Sequence, residues 1–219
     1  MTARRARGPV QLAEFLGLER FQVERAVRSG DIPAPDRSGG RWSADVADEL
    51  FARAREIADA AGYVPDYGAV RMAEELARLL DVEIRADGVE ELARRGLLPA
   101  KGSFKGYTVY DGRAAEAFTD ARAAIEAQRA GELRTADESA AYLQIRRADL
   151  DHLTRAGLLA PSRYGRGPWD RKDEASVPLY RTGDLDDLTA RAGIDWDAVR
   201  QARKGQRSPL ASLPSESAS

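Results

Sequence analysis

The sequence predicts a mainly α protein made of three tandem units, each with two short helices, a β-hairpin and a closing helix. Three observations predict it: an internal repeat, apolar spacing of helical period inside each copy, and a glycine that stops each second helix. The 219 residues include no cysteine and one histidine, His152. A disulfide scaffold, a thiol nucleophile and a cysteine or multi-histidine metal site are therefore excluded.

Each copy opens on an alanine, a leucine three residues later and an apolar residue two beyond that: Ala13-Leu16-Leu18, Ala77-Leu80-Val82 and Ala140-Leu143-Ile145. This reads as a short first helix ending in a tight corner anchored by the apolar residue. The second helix carries an apolar pair on one face: Val23 and Ala26, Val89 and Leu92, Leu150 and Leu153. Gly30, Gly96 and Gly157 follow, as left-handed residues that end the helix. Ile32-Pro33, Leu98-Pro99 and Leu159-Ala160 lead into an extended strand. Glycine-rich stretches at 38–40, 102–106 and 163–167 read as hairpin tips. Trp42, Tyr110 or Tyr180 then returns on the second strand into the core, and Leu50, Phe118 or Leu188 lies eight residues on.

The spacing predicts one helix over 44–61 and another over 113–130, each a connector about 27 Å long. Asp195 reads as the N-cap of a last helix, with Trp196 and Val199 on its inner face. These readings give module 1 at residues 1–64, module 2 at 65–131, module 3 at 132–205 and a disordered Ser-rich tail at 206–219. Trp169 falls in the long third hairpin loop without an assigned place.

The arrangement resembles the winged helix-turn-helix domain of the MerR and phage-excisionase families. The resemblance rests on Leu16-Gly17-Leu18, Arg28-Ser29-Gly30-Asp31-Ile32-Pro33, Arg95-Gly96-Leu97-Leu98-Pro99, Arg155-Ala156-Gly157-Leu158-Leu159 and the stretch Leu179-Tyr180-Arg181-Thr182-Gly183-Asp184-Leu185. It covers about three-quarters of the chain. It implies three tandem winged modules with hairpin wings and a DNA-binding protein: a transcriptional regulator, or an excisionase-like or architectural factor.

With the apolar pair turned inward, the second helix of copy one should face outward with Phe21, Arg25 and Arg28, Gln22 lying at the edge and Arg20 opening the helix. In copy three the outward set is Ala148, His152 and Arg155, flanked by Arg147 and Asp149. In copy two it is Asp87, Glu91 and Arg94, whose carboxylates would repel phosphates, so that copy reads as degenerate and structural. Arginine on a helix in the major groove can read guanine bidentately. Arg28, Arg94 and Arg155 sit two residues before the stopping glycine, where a cation also offsets the helix dipole. Arg37 and Arg41, Lys101 and Lys105, and Arg163 and Arg166 flank the hairpin tips, a placement suited to phosphates.

The DNA-contact set expected is thus Arg20, Gln22, Arg25, Arg28, Arg37, Arg41, Arg147, His152, Arg155, Arg163 and Arg166. The glycine-rich loops match no phosphate-cradling fingerprint, and His152 has no evident nucleophile beside it. No enzyme activity, metal or cofactor is expected. The net charge is −2, with residues 1–45 at +2 and 46–66 at −3. The overall acidity favours the alternative, a protein–protein adaptor that has lost DNA, with module 2 and the connectors as its partner or homo-oligomer surface. The basic start lacks an apolar run and no membrane-length apolar segment follows, so the expected location is the cytoplasm, associated with the nucleoid.

Overall fold

The computed structural model describes residues 5–167, 170–171, 175–191, 193–203 and 205–214. Trp169, Met1–Arg4 and the last five residues lie outside the described residues. The described residues are mainly helical, with two small three-stranded antiparallel sheets among them. Copy one holds α1 (Pro9–Leu16), α2 (Arg20–Ser29), α3 (Ala44–Ala52) and α4 (Ala54–Ala61). Copy two holds β1 (Tyr67–Gly68), α5 (Ala69–Leu80), α6 (Ala86–Arg94), β2 (Ala100–Phe104), β3 (Tyr107–Tyr110), α7 (Gly112–Ala117) and α8 (Ala121–Gly131). Copy three holds β4 (Leu133–Thr135), α9 (Ala136–Leu143), α10 (Arg147–Arg155), β5 (Arg163–Gly165), β6 (Val177–Arg181), α11 (Thr182–Ala190) and α12 (Trp196–Gln201), followed by a 3-10 turn at Pro209–Ser212.

The same local physics recurs in each copy. The corner after the first helix is left-handed in all three, at Gly17, Asp81 and Gln144 (φ 67°, 54° and 58°). Glycine reaches this region without strain, whereas Asp81 and Gln144 must be held there by the apolar anchor that follows. The stopping glycines Gly30, Gly96 and Gly157 also have positive φ. Val23, Ala26, Val89, Leu92, Leu150 and Leu153 are all buried. So are the returning aromatics, Trp42 at 2 %, Tyr110 at 1 % and Tyr180 at 3 % exposure, which makes them core side chains rather than stacking platforms.

Each aromatic also pairs with an entering strand that the periodicity does not reveal. Arg7 bridges Trp42, Tyr67 pairs Tyr110, and Arg134 pairs Tyr180, all antiparallel. The sheets therefore run β1-β3-β2 and β4-β6-β5, while the first hairpin is reduced to the single bridge Arg37–Arg41.

The chain divides into two compact units that cut across the repeat. The first comprises Met1–Gly68 with Pro99–Phe118, the second Ala69–Leu98 with Thr119–Ser219. In the first, Leu12, Leu16, Val23, Ile32, Trp42, Leu50 and Ile57 form the core. In the second, Leu143, Leu150, Leu153, Tyr180, Leu185, Leu188 and Val199 form one cluster. There α6 lies between α5 and α8.

Two connector expectations need correction. The helix over 44–61 breaks at Arg53 (φ −108°, ψ 9°) into α3 and α4. That over 113–130 breaks at Phe118, whose backbone is extended, and restarts where Asp120 accepts a hydrogen bond from the Ala123 amide. An aspartate at an N-cap stabilises a new helix start by about 1 kcal/mol, enough to compete with continuing the old one.

The tail from 206 is not disordered as far as Pro214, because Leu210 is buried in the copy-three core and Leu213 packs against it. The Arg146 guanidinium donates to the carbonyls of Arg203 and Gln206, which holds the segment down. Asp195 caps α12 as expected, accepting from the Ala198 amide. Among the described residues no helix is long and apolar enough to cross a membrane.

Candidate nucleic-acid interface

The outward face assigned to α2 is largely an inward one. Gln22 and Arg25 are buried at 4 % and 5 % exposure. The reason is the C-terminal end of α4 and the segment that follows it, which lie against both side chains. The Gln22 amide donates to the Gly62 carbonyl at 2.9 Å, and its oxygen accepts from the Glu19 amide at 2.8 Å. The Arg25 guanidinium donates to the carbonyls of Ala61 and Val64 and meets Asp66 at 2.5 Å. Its Nε is buried without a hydrogen-bond partner among the described residues. Such charge-assisted bonds to orphan helix-end carbonyls are strong ones. Neither side chain is presented to solvent, which corrects their expected exposure.

Asp66 sits at the centre of a small ionic network, with Lys101 at 3.4 Å and Arg28 at 3.6 Å besides Arg25. Asp111 joins it through Lys101 at 3.3 Å and Arg25 at 3.7 Å. The hydrogen bond from Arg113, with Lys101 adding to it, holds the Asp111 carboxyl well below the usual carboxylate range. Beside this network lies a cleft of about 480 Å³ whose lining includes Phe21, Glu24, Arg28, Asp66, Lys101 and Tyr107. Both signs of charge line it, so it is poorly matched to a phosphate.

Glu91 is likewise not exposed. Its side chain is 0 % accessible and meets Arg94 at 2.6 Å, Arg95 at 2.7 Å and Arg181 at 2.9 Å. Burial alone would push its pKa up, but the hydrogen bonds from Arg94 and Arg95 outweigh that and leave it lowered. The carboxylate expected to repel DNA is thus enclosed by three guanidinium groups. Asp149, expected on the flank of α10, is buried against Arg146.

The remaining predicted residues are exposed or half-buried. On α2, Arg20 reaches Glu24 at 2.7 Å. On α10, Arg147 pairs with Asp151 and, at 3.3 Å, with Asp137; Arg155 donates to the half-buried His152 ring at 3.0 Å. On the third hairpin, Arg163 lies 3.4 Å from Glu90, and Arg166 is exposed. In copy two the hairpin tip is Lys105-Gly106, at φ 50° and 81°, so Lys101 lies down the strand in the Asp66 network.

On the first hairpin, Arg37 lies 3.7 Å from Asp36, outside the lining of the depression described next. Arg37 and Arg41 are exposed and bridge one another across Gly39 and Gly40. The Arg7–Trp42 bridge runs the basic segment Arg5–Arg7 along the same hairpin. Arg37, Arg41 and Ala6 line an open depression of about 520 Å³ with no carboxylate among its described lining residues. No family model, curated protein or solved structure matches the chain.

Proposed function

We propose that the chain is a non-enzymatic, double-stranded-DNA-binding protein built of three tandem winged helix-turn-helix modules, a transcriptional regulator or an excisionase-like architectural factor. The observation that carries the reading is the first hairpin, where exposed Arg37 and Arg41 line a depression with no acidic side chain among its described lining residues, Asp36 being the carboxylate paired with Arg37, and the Arg5–Arg7 segment is bridged alongside. Guanidinium groups on a glycine tip suit phosphates of a groove edge. Arg20 and Arg28, exposed on α2, and Arg163 and Arg166 on the third hairpin add further cations, several already facing carboxylates that DNA would have to displace. Affinity in this reading comes from phosphate contacts, and Gln22 and Arg25 serve the fold instead of reading bases. The strand–helix–helix–hairpin–helix order of copies two and three, with isolated bridges in place of the strands in copy one, supports the MerR- and excisionase-like assignment, and the expected place is the cytoplasmic nucleoid.

The adaptor reading is favoured by one specific observation, the enclosure of Arg25 and Glu91 by their own chain. Fluorescence anisotropy with a labelled random-sequence duplex separates the two. DNA binding predicts a dissociation constant in the micromolar range at low salt, weakening steeply as salt rises. No binding at ~50 mM salt with ~100 μM protein transfers the assignment to the adaptor.

A further inference from the structure

Aligning the three copies on Val23, Val89 and Leu150 puts Arg25, Glu91 and His152 at one repeat position. Aligning them on the buried aromatics puts Ser43, Asp111 and Arg181 at another, the N-cap of the third helix in each copy. The structure joins these two positions between successive copies. Arg25 of copy one lies 3.7 Å from Asp111 of copy two and 2.5 Å from Asp66, just ahead of β1. Glu91 of copy two lies 2.9 Å from Arg181 of copy three. The site is the same and the sign is reversed. The other two positions carry no such pair: Ser43 caps α3, and His152 is half-buried and bonded to Arg155 of its own helix.

We propose that this pair of positions is a charge-coded docking surface, by which the second helix of each copy selects the sheet-and-N-cap face of the next. Both helix-borne ions are buried, so a wrong partner is penalised heavily. Copy two's helix set against copy two's own sheet face would oppose Glu91 with Asp111, and copy one's helix set on copy three's would oppose Arg25 with Arg181. Like charges enclosed in a packed interface cost far more than at the surface. Reversing the sign between the two junctions therefore makes the observed order the one that sets both buried helix ions against opposite charges. The partner this surface fits is another strand–helix–helix–hairpin unit with the complementary ion at its third-helix N-cap. The inference stands apart from whether the chain binds DNA.

The test installs the first junction's charges in the second. Glu91→Arg and Arg181→Asp each place like charges together. The triple variant E91R/R95S/R181D restores opposition, with R95S removing an arginine that copy one lacks, since Ser29 stands there. Urea unfolding of the full chain, followed by circular dichroism, should show each single variant lowering the folding equilibrium constant by about a hundredfold. The triple should recover to within about tenfold of the parent. Losses that simply add, or single variants within about threefold of the parent, overturn the proposal. If the reversals do not fold, the E91Q and R181Q cycle decides. Coupling of about fivefold or more sustains the proposal, and additivity ends it.

Discussion

Replacing Arg25 by methionine keeps the stem that lies beside Phe21, where the guanidinium carbon is 5.4 Å from the ring centroid, and removes the charge. The variant loses two hydrogen bonds to the Ala61 and Val64 carbonyls and the ion pair to Asp66. Breaking a buried pair costs about 3–5 kcal/mol because the other ion is stranded. Asp66 is not stranded completely, since its side chain is 18 % exposed and Lys101 and Arg28 remain within 3.6 Å. The expected destabilisation is therefore about 2–3 kcal/mol, some 30- to 150-fold in the unfolding equilibrium. Urea unfolding monitored by fluorescence suits the measurement, because Trp42 is buried in the same core. Under conditions where the variant stays folded, duplex affinity should stay within about twofold of the parent. A base-reading arginine would behave oppositely, losing about 1–3 kcal/mol of specific binding with stability intact. That second pattern, found for Arg25→Met, would refute the placement of this residue in the fold.

Three further outcomes are expected. Gly131→Ala should destabilise the second unit by about 1–3 kcal/mol despite the roughly 1 kcal/mol helix-propensity gain, because its Cβ would fall 2.4 Å from the Asp87 carbonyl oxygen; a thermal midpoint at or above the parent's would contradict this packing of α8 on α6. Leu210→Ala should cost about 2–4 kcal/mol and hasten proteolysis of the tail, whereas a disordered tail would make it silent. Asp111, Glu91 and Asp149 have lowered pKa values: hydrogen bonding from Arg113 does this for Asp111, while for the other two, bonds from Arg94 and Arg95, and from Arg146, overcome an opposing burial effect. Their contribution to stability is complete above the unfolded values of about 4 and is lost as pH falls below them toward the folded values, so thermal midpoints should be flat near neutrality and drop in acid.

Much of the repeat was legible because it rests on local physics. The apolar pairs, the stopping glycines and the returning aromatics follow from helical period, left-handed backbone and strand return, and all appear in the structure. What was illegible depends on residues far along the chain. A helix periodicity identifies one buried face, and α2 has two. Its second face is covered by atoms 36 to 41 residues downstream of Arg25, so Arg25 and Gln22 looked exposed. Glu91 is concealed likewise by Arg181, 90 residues away. A signal was nevertheless present, since aligned copies place opposite charges at both junction positions. The entering strands, two or three residues long, carry no alternation of their own and form only because β3 and β6 offer an edge. The breaks at Arg53 and Phe118 leave the apolar stripe nearly in phase, with Leu50 and Ile57 still seven apart, so spacing alone concealed them. Leu210 was hidden in a segment whose composition is that of a tail.

The salt dependence of duplex binding, measured for the parent and for R37A/R41A, decides whether the first hairpin grips DNA phosphates. Both side chains are exposed, so the fold should survive their loss. If each neutralises one phosphate, the slope of log affinity against log salt should fall in magnitude by about 1.8 between ~50 and ~200 mM salt. An unchanged slope and affinity in the double variant, with circular dichroism matching the parent, would exclude phosphate contacts by Arg37 and Arg41.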